Sequence, residues 1–297
     1  MYSRIKKEII IVLFLTISLC SAGLAGNTAN IYKVGEENQL DIDQQGLLNA
    51  AYILQSGTYN SIEIEQMGTE SNSYAEIENY IYVEQLGDEN QITLRQIGQG
   101  NEAHIQQSGV YNEAVSEYTG SMGYVSQYQE GSNNKAQNYM SGDGNGVGTS
   151  FNLNSDGMQE SFDNLGWTQY LYGSYNEALI FIDGSDNMIS QWQNGEYNKA
   201  FIKLQNDILS SGQGNVVQQW QEGNGNEASV DVWGNSNVIR QIQIGNFNQS
   251  MVEINGNDNL ILHHQKGDNL ITPAQDGSLE PVIRINGDSL TVKVTQR

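Results

Sequence analysis

The sequence predicts an all-β protein of the β-solenoid class, built of stacked strand-turn-strand repeats with about 22 residues per rung and two parallel sheets. Three observations carry this. A phrase of Gln, any residue, Gly, two of any kind and Asn recurs every eleven residues over most of the chain. Within each phrase the residues alternate in character with period two, as they do in a strand with one buried face. From Asn176 to Asn198, and again from Asn226 to Asn248, a full phrase alternates with one lacking Gln and Ala, so two strands make one repeat.

The elements follow in chain order. Residues 1–25 read as a secretory signal: Arg4, Lys6 and Lys7 precede an apolar run from Ile9 to Leu19 and small residues from Ala22 to Gly26, with cleavage expected near Ala25. The run is too short for a membrane span. Residues 26–272 carry the repeats, which begin at Lys33, Gly35 and Asn38. Gln44, Gly46 and Asn49 are followed by Gln55, Gly57 and Asn60, then Gln85, Gly87 and Asn90, Gln96, Gly98 and Asn101, and Gln107, Gly109 and Asn112. The phrase resumes at Gln129, Gly131 and Asn134, Gly173 and Asn176, Gly184 and Asn187, and Gln193, Gly195 and Asn198. It closes with Gln221, Gly223 and Asn226, Gly234 and Asn237, Gln243, Gly245 and Asn248, and Gly256 and Asn259.

Each of these residues has an assigned place. The glycines sit where the chain reverses, because glycine alone enters positive-φ conformations cheaply. The Gln and Asn residues share one parity with the Ala and aliphatic residues that follow Asn, so they face inward. Glu102, Glu113, Lys135, Glu177, Lys199 and Glu227 stand directly after Asn and face outward. A core of amides is costly unless they pair. Stacked one rung apart, identical Gln and Asn side chains form hydrogen-bonded ladders, as in cross-β, amyloid-like assemblies. Phase is disturbed from Gln66 to Gln85, from Met140 to Leu171 and from Leu204 to Ser210, with 143–170 the expected irregular segment. Residues 273–297 contain both prolines, Pro273 and Pro281, and are expected to form a cap or terminal hairpin.

Composition narrows the function classes. The net charge is −22, and about −24 once the signal leaves, so no nucleic-acid partner is expected. Cys20, the single cysteine, lies within the signal segment, which leaves no disulfide or cysteine metal site. His263 and His264 are neighbours that a strand would point to opposite faces, a poor chelate. The loop from Asp143 lacks the downstream glutamate of an EF-hand, so neither metal nor cofactor is expected. The carboxylates are scattered across units without a catalytic constellation, and no enzyme is expected. Trp192, Trp220 and Trp233 fall on the outward parity, suited to lateral packing of fibres or to binding matrix polymers.

The phrase resembles the repeat of the curlin family, the subunits of bacterial curli amyloid fibres. The family pattern, Gln-x-Gly-x-x-Asn-x-Ala-x-x-x-Gln, is met in full by Gln44, Gly46, Asn49, Ala51 and Gln55 and by Gln96, Gly98, Asn101, Ala103 and Gln107. Close variants start at Gln107, Gln129, Gln193 and Gln221. The resemblance implies a secreted protein that assembles with itself into extracellular adhesive fibres at the bacterial cell surface, as main subunit or nucleator. It further implies an outer-membrane exporter and a nucleator subunit as partners. The alternative is a capped, monomeric β-solenoid surface adhesin that binds matrix polymers or cations.

Overall fold

A computed structural model describes residues 13–19, 27–46, 48–68, 79–147, 169–205, 214–268, 282–287 and 289–296. Every regular element in them is a strand. The first eight are β1 (Leu13–Leu19), β2 (Asn27–Val34), β3 (Gln39–Gln45), β4 (Asn49–Ser56), β5 (Ser61–Met67), β6 (Asn79–Asp88), β7 (Gln91–Ile97) and β8 (Glu102–Val110). Then come β9 (Glu113–Thr119), β10 (Tyr124–Ser132), β11 (Lys135–Ser141), β12 (Gly146–Val147), β13 (Gln169–Ser174), β14 (Glu177–Asp183), β15 (Met188–Glu196) and β16 (Lys199–Gln205). The last are β17 (Val216–Glu222), β18 (Glu227–Trp233), β19 (Val238–Ile244), β20 (Gln249–Asn255), β21 (Leu260–Lys266), β22 (Val282–Asn286) and β23 (Thr291–Gln296).

Successive strands go alternately to two sheets, and each rung contributes one strand to each. Among the described residues, sheet A runs β1-β2-β4-β6-β8-β10-β12-β15-β17-β19-β21-β23, with β13 continuing the line of β12 between β10 and β15. Sheet B runs β3-β5-β7-β9-β11-β14-β16-β18-β20-β22. From β2 onward all pairing is parallel and in register, so Gly87, Gly109 and Gly131 lie directly over one another. The predicted two-sheet solenoid is therefore the observed fold.

The step from one rung to the next is 22 residues, as between Asn38 and Asn60. It lengthens to 30 between Asn60 and Asn90, to 42 between Asn145 and Asn187, and to 28 between Asn187 and Asn215. In each case the strands on either side of the extra residues keep the same register, because a slip by one residue would turn the whole inward set to solvent. The longest step divides one strand position of sheet A into β12, which ends at Val147, and β13, which begins at Gln169. The cleavage position near Ala25, Cys20, most of the segment 143–170, and Pro273 and Pro281 fall outside the described residues.

Both ends differ from a simple repeat. β1, inside the segment read as a signal, pairs antiparallel with β2, with Leu13 opposite Lys33 and Leu19 opposite Asn27. In the tail, β22 adds parallel to β20 and β23 parallel to β21. The two tail strands extend the two sheets and do not pair with each other as a hairpin. Between the sheets, the apolar core is a stack of Ile, Leu, Val and Ala from Ala29 to Ile285. Fully burying each Ile or Leu contributes roughly 1.5–3 kcal/mol.

Candidate functional site: the amide ladders and the rung edges

The asparagines before each strand form two columns, one per sheet. In sheet B the column runs unbroken through Asn38, Asn60, Asn90, Asn112, Asn134, Asn176, Asn198, Asn226 and Asn248, all buried. Each Oδ1 accepts the backbone N–H of the next rung's Asn at 3.0–3.1 Å, as from Asn60 to Asn38 and from Asn176 to Asn134. Each Nδ2 also reaches the carbonyl of the glycine in the next rung's turn, 2.8 Å from Asn90 to Gly109 and from Asn226 to Gly245. Sheet A repeats the arrangement at Asn49, Asn79, Asn101, Asn187, Asn215, Asn237 and Asn259. One side chain thus satisfies both the strand start and the turn of the next rung.

The glutamines form ladders of a second kind. In sheet A, Nε2 of Gln55 donates to Oε1 of Gln85 at 3.0 Å, Gln85 to Gln107 at 3.1 Å and Gln107 to Gln129 at 2.6 Å. A separate run goes from Gln193 to Gln221 at 2.7 Å, to Gln243 at 2.9 Å and to Gln265 at 2.8 Å. The same Nε2 groups donate across the core to sheet B backbone, from Gln107 to the Gln91 carbonyl and from Gln243 to the Glu227 carbonyl. Each glutamine therefore ties rung to rung and sheet to sheet. Such a buried bond contributes about 1 kcal/mol, and stripping one partner costs roughly 1–3 kcal/mol.

The predicted glutamines do not form one continuous ladder. Leu171 occupies the position between Gln129 and Gln193. In sheet B the column holds only Gln44, Gln66 and Gln96 before Tyr118, Met140 and Ile182 take it over. All bonds run one way, so the first glutamine of a run has no donor beneath it. The Oε1 atoms of Gln55 and Gln193 accordingly have no hydrogen-bond partner among the described residues.

Three features escape the eleven-residue phrase. A second sheet A ladder runs from Gln191 to Gln219 at 3.0 Å and on to Gln241 at 2.9 Å. Nε2 of Gln241 then donates to the Ser250 hydroxyl at 2.6 Å, which bonds the buried His263 Nδ1 at 2.6 Å. Its signal was the Gln-x-Gln spacing of Gln191, Gln193, Gln219, Gln221, Gln241 and Gln243, which only the register aligns. His263 is buried and His264 half-buried on the other face, as the alternation requires.

The second feature is the residue immediately before Asn, which adopts a left-handed conformation. Gly100, Gly144 and Gly225 do so at φ 65–68°, and Tyr59, Tyr111, Tyr175, Tyr197 and Phe247 at 56–59°. A left-handed non-glycine residue costs about 1–2 kcal/mol. The Asn bonds on its far side hold it there. All thirteen predicted turn glycines, Gly46 to Gly256, also have positive φ, from 89° at Gly46 to 150° at Gly256. At Gly57 the need is double: a Cβ would run into the carbonyl oxygen of Gly87 on the next rung.

The third feature is on the outer face of sheet B. There Glu113, Lys135, Glu177, Lys199 and Glu227 stack in register with alternating sign. Arg95 bonds Glu65 at 2.8 Å across one rung. In contrast, Asp41 lies over Glu63 and Asp43 over Glu65. On sheet A the Trp192 and Trp220 rings lie 4.1 Å apart, whereas Trp233, 51% exposed, stands on sheet B beneath Lys203. The three tryptophans thus face two opposite directions. No group of three or more His, Cys, Asp or Glu side chains is placed to hold a metal ion among the described residues.

Parallel in-register rungs and buried columns of Asn and Gln define a β-solenoid. The family model of the curlin associated repeat matches residues 35–68, from the turn of the first rung to the end of the second, and supports assignment to the curlin repeat family. No curated protein matches the chain.

Proposed function

We propose that the chain is a secreted curlin-like structural subunit that assembles end to end into extracellular amyloid fibres for adhesion and biofilm matrix. The supporting observation is the polarity of the ladders. Each rung presents upward the donors that the rung above accepts, and β3 and β22 are the outermost strands of sheet B among the described residues. A second copy stacked in the same direction continues both sheets, with its backbone pairing as any added strand does. The proposed arrangement is a signal at 1–25, a repeat body at 26–272 and a tail at 273–297. β1 covers the sheet A edge of β2, so cleavage near Ala25 would open that edge when the chain is exported. The curlin repeat family is structural rather than catalytic. A curli-type exporter and nucleator are the partners its resemblance brings.

The test compares the chain lacking residues 1–25 with the full chain. The shortened chain is expected to form seeded filaments whose fibre diffraction shows a spacing near 4.8 Å along the axis. Stable monomers of the shortened chain, even with seeds, would favour the capped adhesin instead.

A further inference from the structure

Tyr175 and Tyr197 occupy the same place on consecutive turns, each directly before the Asn of its rung. Both have φ 58°, and their backbones are held by N–H bonds to Ser132 at 2.9 Å and Ser174 at 3.1 Å. Identical backbones one rung apart send the rings in one direction. Their centroids lie 4.9 Å apart with the planes 4° from parallel, and the residues are 49% and 57% exposed. Neighbouring positions of this column are Asn133 below and Gly225 above, so neither outer ring face is packed by another aromatic residue of the column. Tyr59, between Glu37 and Glu89, and Tyr111, between Glu89 and Asn133, have no such partner in the column.

We propose that Tyr175 and Tyr197 form an oxidative cross-linking site, at which hydrogen peroxide acting through a haem peroxidase joins the two phenols as a dityrosine. Each phenol gives one electron to the oxidised haem and its hydroxyl proton to water. The two phenoxyl radicals then pair their electrons in a carbon-carbon bond between ring positions ortho to the oxygens. Each joined carbon loses its hydrogen as a proton while the oxygen of that ring takes one up, which restores both phenols. In sum two electrons and two protons leave the protein, and one peroxide becomes two waters.

Coupling is limited by the meeting of two short-lived radicals, and here the rings already stand in contact. Their exposure admits the oxidant. The Tyr52–Tyr82 stack on sheet A is wider, at 5.5 Å, and the Tyr82 hydroxyl is engaged by Glu84 at 3.2 Å. The product would bond two consecutive rungs covalently and constrain the unfolded chain.

The test treats the folded chain with a haem peroxidase and peroxide, then cleaves after glutamate. The expected product joins the fragment ending at Glu177 to the fragment beginning at Tyr197, lighter than their sum by two hydrogens. Its yield should not change on dilution. Tyr175→Phe and Tyr197→Phe should each abolish it while leaving the β circular dichroism spectrum unchanged, and Tyr52→Phe should leave it intact. Cross-links spread over other tyrosines, an equal yield from denatured chain, or survival of the product in either phenylalanine variant would overturn the proposal.

Discussion

Position 123 shows how one residue answers another across the core. The sheet A column has Asn before nearly every strand, but before β10 it has Gly123, whose N–H still bonds the Asn101 Oδ1 at 3.0 Å. A Cβ there would strike the Tyr118 ring. The Tyr118 hydroxyl in turn donates to the Gly142 carbonyl at 2.6 Å, the bond that an Asn at 123 would otherwise supply. Burial pushes the Tyr118 phenol far above its usual range, so it remains a donor at any ordinary pH. Gly123→Asn, although it restores the repeat, is expected to destabilise the chain by about 2–3 kcal/mol through overpacking. Adding Tyr118→Ile should recover most of that loss in thermal melts; an additive double mutant would refute the exchange. Asp231 gives a pH test. Burial raises its carboxyl against the opposing pull of Lys203 at 3.9 Å. A raised value means that its contribution is fully present below the ordinary 3.8 and is lost as pH rises through the folded value. Asp231→Asn should therefore raise the unfolding midpoint at neutral pH and leave it unchanged below 3.8. A lower midpoint at neutral pH would mean that the Lys203 pair dominates.

Among the elements, the ladders make position within a run matter more than residue type. Gln221 stands mid-run, bonded to Gln193 below, to Gln243 above and to the Lys199 carbonyl across the core. Gln221→Leu leaves those groups without partners and should cost roughly 2–4 kcal/mol. Leu171→Gln makes the reverse change at a buried site between two ladder ends and supplies the donor that Gln193 lacks. We expect it to be tolerated with no loss of thermal stability. If the two substitutions prove equally damaging, the amides are packing groups and not ladder bonds. The alternating charges from Glu113 to Glu227 act at the same scale, since a slip by one rung would bring like charges together.

For the molecule as a whole, charge and open edges oppose each other. The first two rungs stack Asp41 on Glu63 and Asp43 on Glu65, within a chain of net charge −22. A second copy approaching that end meets repulsion which salt screens over about 8–10 Å. Sodium chloride or calcium should shorten the lag of assembly, with the larger effect at low ionic strength. Deleting the β2–β3 or the β21–β22 rung should slow elongation far more than deleting the β8–β9 rung. Equal slowing would dismiss growth through the ends.

The sequence by itself determined the strand alternation, the two-sheet class, the turn glycines and the inward Asn and Gln, because all are set by local periodicity and by the conformational freedom of single residues. The positions of phase loss from Gln66, Met140 and Leu204 were also readable as interrupted spacing. Only the tertiary structure decided which repeats stack on which. That pairing spans excursions of unequal length, and it fixes the second ladder of Gln191, Gln219 and Gln241, the break at Leu171, the exchange of Asn for Tyr118 and Gly123, the sign alternation on sheet B and the contact of Tyr175 with Tyr197. The physical reason is that these interactions run along the solenoid axis between residues at least 22 apart or, for Tyr118 and Gly123, across the core between the two sheets, where no local pattern constrains them.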